Sequence, residues 1–498
     1  MTQKTINRRR FLKKSATAVT TIGVTPYLFS SVQPVRAESV SDRLRFAQIG
    51  TGDIARSFDV PQFNKLVDVV AACDIDSSHL QWTQNDPNIG AKDSEGNKIK
   101  IDTYKDYRKI LDRKDIDIVS ISTPDHWHTK IAIEALQAGK HVYCQKPLTL
   151  TIEECQKIRA ACKKYNQQVL QVGTQQRSFR DQFLIALLMV RKGLLGNIKR
   201  IICDLETGEF EFSGSIPKAD VPETFDYETW LGQTPLKDYL ATKELADDWR
   251  ASMKCPKFSR GHFNFRYWYE YGGGQFSNWG AHHFDIAMWM IDQVGPGQGP
   301  TKIKPIHVKH PVPFKNGYPT IDNAYNVATE FQVECHFPNG IVMEARHNTP
   351  DGNGILIEGT KGRIHVNRSR IKGKPYEEIG GSYQANGHSK PYSELPEIQK
   401  LFPEEDFVKL YKGKPFENFG WIDNGHKKNF IRCIREGGLP VSDVFTTVQV
   451  TNVCHLAAIA ARLGREIEWD PKTEKTGDAE SMTFLSREQR KGYEIPNV

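Results

Sequence analysis

The sequence predicts an α/β protein with two parts: a parallel, doubly wound sheet near the N-terminus and an α+β region with a large, mainly antiparallel open sheet. Two observations predict this class. From Leu44 to Gly173, short apolar strands alternate with helical segments, which is the pattern of a parallel sheet. After about residue 175, apolar and polar positions alternate and hairpin turns appear, which indicates antiparallel strands.

The first part contains five predicted strands and four predicted helices. The strands are LRFAQIG (44–50), VDVVAACDID (67–76), DIDIVSISTP (115–124), HVYCQKP (141–147) and QQVLQVG (167–173). The helices are DIARSFDVPQFNKL (53–66), the segment 104–111, HTKIAIEALQAG (128–139) and TIEECQKIRAACKKY (151–165). Thr151 and Glu154 have capping-box spacing, which supports a helix start there.

The second part is predicted from two hairpins and two long helical patterns. Pro338-Asn339-Gly340 joins two alternating segments, and ILIEGTKGRIHV (355–366) turns at Lys361-Gly362. Residues 421–437 and 444–464 have helical periodicity. We therefore divide the chain into a leader (1–37), a Rossmann-type domain (42–168), a larger α+β domain (169–470) and a polar surface tail (471–498).

The leader predicts export. Twin arginines lead into Phe11, Leu12 and Lys13, a weakly apolar stretch follows, and Val35-Arg36-Ala37 offers a cleavage site. This order resembles a twin-arginine signal and implies a periplasmic or otherwise exported protein; the competing interpretation is a disordered basic tail. No other apolar run is long enough for a membrane span, so no transmembrane anchor is expected.

Net charge and cysteine content exclude two classes of partner. The leader carries seven basic residues and no acid, so the formal charge of +7 leaves zero for the remaining residues, and a nucleic-acid partner is not expected. The nine cysteines are odd in number, scattered and without metal-binding spacing, so we expect buried free thiols and no metal site.

A dinucleotide-binding motif follows the first strand. Gly50-Thr51-Gly52-Asp53-Ile54-Ala55 matches G-x-G-x-x-G/A, in which the first glycine permits a tight turn and the second lets the backbone approach a pyrophosphate. Asp74 ends the second strand, where its carboxylate can bind a ribose 2′-hydroxyl and would repel a 2′-phosphate. The cofactor is therefore predicted to be NAD rather than NADP, with Gly50, Gly52, Asp53, Ile54 and Asp74 as contacts.

Two further strand ends face the same crevice, because the carboxyl ends of parallel strands share one edge. In STPDHWHT (122–129), we predict that Thr123, Pro124 and His128 contact the cofactor, without a catalytic role for the histidines. In CQKP, Gln145 and Lys146 end the next strand. Lys146 is either a solvated lysine at the sheet edge or the cation that stabilises a substrate oxygen as hydride leaves.

GGGQFSNWGAHHFD (272–285) supplies a candidate proton acceptor. His282 can act as a general base, because an imidazole ordinarily titrates near neutral pH, whereas the alternative is a histidine packed in the core. His283 and Asp285 follow on the same predicted helix, and we count them as substrate contacts rather than metal ligands because no third ligand is spaced to join them.

Arg177 and the aromatic patch HFNFRYWYEYGGG (262–274) complete the candidate site. Tyr267 and Trp268 offer rings that can stack on the apolar face of a sugar, although core packing of a large loop explains them equally well.

Together these motifs resemble the glucose–fructose oxidoreductase, inositol dehydrogenase and MocA family (Gfo/Idh/MocA). The resemblance also includes VGTQQR (172–177) and HLAAIAARLGREIEWDP (455–471), and it covers nearly the whole chain after the leader. It implies a Rossmann domain followed by an α/β domain whose open sheet commonly forms the oligomer interface, hence a homo-oligomer. The family's catalytic lysine corresponds to Lys146, and its aspartate–histidine pair corresponds to Asn278 and His282.

Two residues depart from the family pattern. Gln145 replaces the glutamate before the lysine, and Asn278 replaces the aspartate. A carboxylate raises the pKa of a neighbouring lysine or histidine and an amide does not, so the pKa values of Lys146 and His282 are expected to be lower than in relatives.

The resemblance implies an exported NAD-dependent oxidoreductase acting on a sugar, polyol or glycoside, with a tightly bound cofactor that is recycled within the enzyme. One alternative is an NAD-dependent glycosidase that works by oxidation, elimination, hydration and reduction. A second alternative is a non-catalytic sugar-binding protein, which Gln145 and Asn278 leave open and the retained Lys146 and His282 oppose.

Overall fold

The computed structural model describes residues 43–91, 95–206, 214–247, 255–410 and 425–498. The leader and its export motif lie outside these residues. The described chain contains a parallel sheet followed by a larger mixed sheet, so the predicted fold class is confirmed.

The first sheet has six parallel strands in the order β3-β2-β1-β4-β5-β6. They are β1 (Arg45–Ile49), β2 (Asp68–Cys73), β3 (Asp102–Tyr104), β4 (Ile118–Ile121), β5 (His141–Cys144) and β6 (Leu170–Val172). The short strand β3 was not predicted, and the helix expected over 104–111 is reduced to Arg108–Leu111. Because β6 pairs with β5, the first sheet extends beyond the predicted boundary at residue 168.

Helices cover this sheet on both faces, as expected for strands joined by right-handed crossovers. They are α1 (Val60–Phe63), α2 (Ser77–Asn85), α3 (Arg108–Leu111), α4 (Asp125–Gln137) and α5 (Ile152–Lys164). The helix predicted at 53–66 contains a π-helical turn at Ala55–Asp59 before α1, with Pro61 in the first turn of α1, where its missing N–H costs little. Thr151 caps α5 by accepting a hydrogen bond from the Glu154 N–H, as predicted.

The second sheet has nine strands in the order β15-β14-β13-β7-β12-β11-β8-β16-β17. The strands of this sheet are β7 (Ile198–Asp204), β8 (Lys302–Lys309), β11 (Glu330–His336), β12 (Val342–Arg346), β13 (Gly354–Gly359), β14 (Arg363–Val366), β15 (Ile371–Lys372), β16 (Ile467–Asp470) and β17 (Lys475–Thr476). Two further strands, β9 (Phe314–Lys315) and β10 (Tyr318–Pro319), form a separate hairpin. Both predicted hairpins are present as antiparallel pairs, and β7 pairs with β12 in parallel.

The helices of the second part pack on one another and on this sheet. They are α6 (Ile185–Arg191), α7 (Tyr227–Leu231), α8 (Gln275–Asn278), α9 (Gly280–Met290), α10 (Pro396–Leu401), α11 (Glu404–Leu410), α12 (Gly425–Glu436), α13 (Val444–Leu463) and α14 (Ala479–Met482). Among the described helices, α13 alone has the length and apolar composition of a membrane span, and 89% of that segment is buried within the protein.

The C-terminal segments return to the first sheet. Val444 and Val448 of α13 pack in the core on one of its faces, and Phe430 of α12 packs in the core on the other. Ile495 is also buried there, so residues 471–498 are docked rather than running as a polar surface tail. The nine cysteines are all free, and all except Cys162 are buried, as predicted.

Candidate active site

A cavity of about 730 Å³ lies at the carboxyl ends of the parallel strands, where segments of the second part cover them. Most of the predicted site residues line it: Gly50, Gly52, Asp53, Ile54, Asp74, Thr123, Pro124, His128, Gln145, Lys146, Tyr267, Asn278 and His282. The fold therefore brings the glycine motif, two strand ends and the histidine motif to one place, as the sequence predicted.

The two glycines of the loop after β1 have different structural roles. Gly50 has φ +83°, and a Cβ there would lie 2.7 Å from the Ser122 carbonyl, so glycine is required for folding. Gly52 has nothing within 4 Å of the corresponding position, which leaves open space beside the start of the following helix. This space suits a pyrophosphate, because backbone N–H groups at a helix start favour an anion. The loop therefore fits a dinucleotide.

Asp74 faces the cavity, but its carboxylate already accepts several hydrogen bonds from neighbouring residues. Its carboxylate accepts hydrogen bonds from the Thr51 N–H (2.7 Å), the Thr51 hydroxyl (3.1 Å) and the Asp76 N–H (2.9 Å). Burial by itself would raise the pKa of Asp74, but these bonds and nearby His79 lower it, so the group is ionised. Asp74, the predicted ribose contact, therefore also fixes the conformation of the glycine loop.

Residues from the second part close over the segment after β2. The His262 Nε2 lies 2.9 Å from an Asp76 oxygen, and the Ser77 N–H donates to the Thr224 carbonyl at 3.0 Å. We call Asp76, Ser77, Thr224, Phe225 and His262 the clamp. Possible metal-ligating atoms of Asp76, His79 and His262 lie within 4.8 Å of one another, a grouping that the prediction of no metal site did not consider.

The two histidines in the first turn of α4 contact backbone carbonyls. Both ring nitrogens of His128 face backbone carbonyls, those of Pro147 at 2.6 Å and Thr123 at 2.8 Å. His126 Nε2 lies 2.7 Å from the Trp230 carbonyl. Burial lowers the pKa of both rings, to about 3 for His126, whereas the contacts with backbone carbonyls act in the opposite direction.

Lys146 reaches across the cavity to the second part. Its Nζ donates to the Asn278 side-chain oxygen at 2.6 Å and to the Asn278 carbonyl at 3.2 Å. Burial, followed by the charge of Arg266, lowers the pKa of Lys146 towards neutrality. We call the group Lys146, Asn278 and His282 the lysine end of the cavity.

His282 lies on α9 and is 4% exposed. Within the described residues its Nδ1 has no hydrogen-bond partner. The Asn278 side-chain oxygen, the other member of the pair that corresponds to the family's aspartate and histidine, contacts Lys146 instead. Burial, with the charges of Arg368 and Lys146, holds the pKa of His282 well below its usual value. The ring is therefore neutral, and its lowered pKa makes it a weaker base than a solvated imidazole.

Gln145 and Lys146, the two residues directly after β5, have different partners: Lys146 contacts Asn278, whereas Gln145 contacts Asp59. Its Nε2 donates to both Asp59 oxygens, at 3.0 and 2.9 Å. Ser122 donates to the same carboxylate at 2.7 Å, and the Lys427 Nζ lies 2.9 Å from it. In this group, the Asp59 cluster, a fully buried aspartate supplies the negative charge that the family glutamate would carry.

Four predicted substrate contacts are corrected. Arg177 and Asp285 form a buried ion pair with N–O distances of 2.5 and 2.7 Å, and neither lines the cavity. His283 is fully buried and stacks on Trp279. Trp268 is also fully buried and donates to the Ser259 carbonyl, so it packs in a core rather than on a sugar. Of the predicted substrate contacts, Tyr267 alone reaches the cavity.

The prediction missed Asp125, the first residue of α4. Its side chain lines the cavity and the residue is 6% exposed. Burial raises the pKa of this carboxyl towards neutrality, against the opposing charges of Lys146 and Arg266. A signal was present in the sequence, since a carboxylate directly follows the Thr-Pro pair at a strand end that faces the crevice.

Comparison with known proteins gives two family matches. Residues 44–174 match the GFO_IDH_MocA model, described as an oxidoreductase family with an NAD-binding Rossmann fold. Residues 186–373 match the C-terminal alpha/beta domain of the same oxidoreductase family.

Individual relatives are similar over part of their length. A glycosyl hydrolase family 109 protein of Shewanella sp. (strain W3-18-1) is 32% identical over 210 residues, covering 39% of this chain and 44% of that protein. Inositol 2-dehydrogenase of Salmonella paratyphi B is 26% identical over 178 residues, covering 36% and 48%. The chain thus spans less than half the length of the curated relatives it matches.

Solved structures share the fold. The WlbA dehydrogenase of Chromobacterium violaceum, in complex with NADH and UDP-GlcNAcA, superimposes with a TM-score of 0.55 at 18% identity, covering 88% of this chain and 99% of that one.

Proposed function

The chain belongs to the Gfo/Idh/MocA oxidoreductase family, and on that premise we propose that it oxidises a hydroxyl group of a sugar, polyol or glycoside with NAD. The observation that carries the proposal is the bond from Lys146 of the parallel sheet to Asn278 of the second part, inside the cavity that also contains the Gly52 loop. The loop that would bind the cofactor and the side chains of Lys146 and Asn278 therefore line the same cavity.

The residues present suit a nicotinamide dinucleotide. The open space at Gly52 would accept the pyrophosphate, and Asp74 lies where a ribose is expected. When bound, NAD supplies the hydride acceptor. A negative charge at Asp74 disfavours the additional phosphate of NADP.

The lysine end provides two chemically distinct groups. Lys146, when protonated, stabilises negative charge that develops on a substrate oxygen. His282 is neutral and can accept the hydroxyl proton. Asn278 fixes the position of the lysine ammonium through a charge-assisted hydrogen bond of 2.6 Å.

We further propose that the cofactor is held tightly and recycled within the enzyme. The clamp supports this proposal, because its hydrogen bonds join the chain after β2 to the second part, beside the expected ribose position. Opening the clamp would have to precede cofactor release. A His262→Ala variant should release NADH faster than wild type in a stopped-flow displacement experiment; equal rates would contradict the proposal.

A redox-neutral glycosidase is the second candidate, and the similarity to a glycosyl hydrolase family 109 protein favours it. Oxidation of a sugar hydroxyl acidifies the adjacent C–H, so an aglycone can be eliminated before the ketone is reduced again. A dehydrogenase would accumulate NADH in solution, whereas a glycosidase would release the aglycone without net NADH.

The deciding experiment is a screen of free sugars, polyols and aryl glycosides with wild type and Lys146→Ala, recording NADH absorbance and aglycone release together. We expect one signal in wild type and neither in the variant. An unchanged signal in Lys146→Ala would contradict the proposed site, and binding of NAD with no turnover of any substrate class would contradict the proposed activity.

Export by the twin-arginine pathway is proposed from the leader sequence. Replacement of Arg8 and Arg9 by lysine should retain the protein in the cytoplasm of a bacterial host, as measured by fractionation. An unchanged distribution would contradict this proposal.

A homo-oligomer formed through the second sheet is also proposed. Strand β8 presents several side chains to solvent, including Ile306 at 45% exposed. An Ile306→Glu variant should dissociate in analytical ultracentrifugation if this face is the interface, and a wild-type monomer would contradict the proposal.

A further inference from the structure

Asp125 is a buried carboxylate that the described residues do not pair. Its residue is 6% exposed, and within the described part of the chain no ion pair or hydrogen bond from another residue reaches its oxygens. Its side chain borders the cavity. A buried acid without a partner in a cleft is costly to stability, which marks it as a functional candidate.

The backbone fixes Asp125 relative to Lys146. Strands β4 and β5 are adjacent and parallel, and the Gln145 N–H donates to the Ile121 carbonyl at 2.9 Å. The first turn of α4 is tied to the residue after the lysine, because a His128 nitrogen lies 2.6 Å from the Pro147 carbonyl. The two side chains therefore enter the cavity from neighbouring strand ends.

The surroundings of Lys146 otherwise provide little negative charge. Gln145 is neutral and faces the Asp59 cluster, and Asn278 is neutral. The charge of Asp125 raises the pKa of Lys146 against the effects of burial and Arg266. The titratable groups that act on one or both side chains are Arg266, Arg368, Glu154, His128, His282 and Cys454.

We propose that Asp125 is a positioning residue that keeps Lys146 protonated at the lysine end, replacing the negative charge that Asn278 does not supply. Its catalytic consequence rests on the proposed function, but the charge of Lys146 is measurable without turnover. The structural alternative is that Asp125 stabilises only the start of the 13-residue helix α4 through the helix dipole.

Chemical labelling separates these roles. The rate at which Lys146 of the resting protein reacts with an acylating reagent is measured against pH by mass spectrometry. We expect its half-reactive pH to fall by about one unit in Asp125→Asn, because loss of the carboxylate destabilises the ammonium form. Asp125→Ser, which also suits a helix start, provides a second neutral variant.

A matched control is Asp106→Asn, which removes another carboxylate that borders the cavity. Asp125→Glu retains the charge and should leave the Lys146 profile close to wild type. An unchanged profile in both neutral variants, or an equal shift in Asp106→Asn, would overturn the proposal.

Turnover gives the second measurement. Activity that depends on a protonated Lys146 declines as pH rises through its pKa, so in Asp125→Asn this alkaline limb should move about one unit lower. A labelling shift without a change in the pH–rate profile would uphold the charge effect and contradict the proposed function of Lys146. No labelling shift would overturn the inference itself, whatever the substrate.

Discussion

Gln145 and Lys146 are consecutive residues directly after β5, yet their side chains lie in different environments. Gln145 enters the Asp59 cluster, where the carboxylate has three partners and is fully buried. Lys146 enters the lysine end, where the His282 Nδ1 has no hydrogen-bond partner among the described residues, and it lies in the same cavity as Asp125, whose oxygens no other described residue reaches with a hydrogen bond. The polar groups around Gln145 therefore hydrogen-bond to one another, whereas some polar groups around Lys146 have no such partner. We call these two environments the Gln145 side and the Lys146 side.

This difference separates stability from chemistry. A buried ion pair whose remaining lone pairs are hydrogen-bonded is tolerated in the fold, and removal of one member exposes the full cost of the other charge. Groups that lack partners in the folded protein can bind a substrate without first breaking internal bonds. We therefore expect substitutions in the Asp59 cluster to lower the free energy of unfolding, and substitutions at the lysine end to lower activity.

Lys146→Met should give the largest effect, on activity. We expect a loss of roughly 10³-fold in kcat/KM, because a cation at the developing oxyanion is removed. The free energy of unfolding should change by less than about 1 kcal/mol, since a partly buried ammonium is replaced by an apolar chain of similar size. A large loss of stability would show that Lys146, like the Asp59 cluster, stabilises the fold.

Lys427→Met is the matched substitution in the Asp59 cluster, on the Gln145 side. It leaves Asp59 buried without its ion-pair partner, so the free energy of unfolding should fall by about 3–5 kcal/mol in urea denaturation. A variant of unchanged stability would show that the Asp59 cluster is not a structural centre.

Gln145→Glu restores the family residue and tests where the charge resides. Its new carboxylate would meet the Asp59 oxygens that the amide now contacts at about 3 Å, and we expect a destabilisation of about 2 kcal/mol. The double variant Asp59→Asn/Gln145→Glu should recover most of this loss. No recovery in a double-mutant cycle would contradict the exchange of charge between positions 59 and 145.

The smallest effect concerns pH. His426, beside Lys427, has a pKa lowered by burial to about 3, so the unfolded chain binds more protons than the folded one between about pH 6.5 and 3. Stability should therefore fall as pH falls through this window, by about 1.4 kcal/mol from this group at pH 5.5 relative to pH 8. In His426→Gln the pH dependence of unfolding should decrease by that amount; an identical slope would contradict it.

Local patterns predicted the fold class and brought most of the candidate residues to one cavity. The glycine motif, the strand ends and the two hairpins each depend on residues close in sequence, and all are present. The substrate contacts depended on side-chain direction, which a pattern does not contain: Arg177 and Asp285 satisfy each other across the core. The partnership of Gln145 with Asp59 joins residues 86 positions apart through a π-helical turn, and periodicity does not reveal it.

Gly52 allows the most direct test of the central claim that this cavity binds NAD. Wild type and Gly52→Val are purified, denatured and assayed for released nucleotide, followed by titration of the native proteins with NADH. We expect NAD or NADH bound to wild type and at least about 10-fold weaker binding in the variant, with an unchanged unfolding midpoint because no atom lies within 4 Å of the new Cβ. Absence of nucleotide together with no binding of added NADH to wild type, or equal binding by both proteins, would contradict the account.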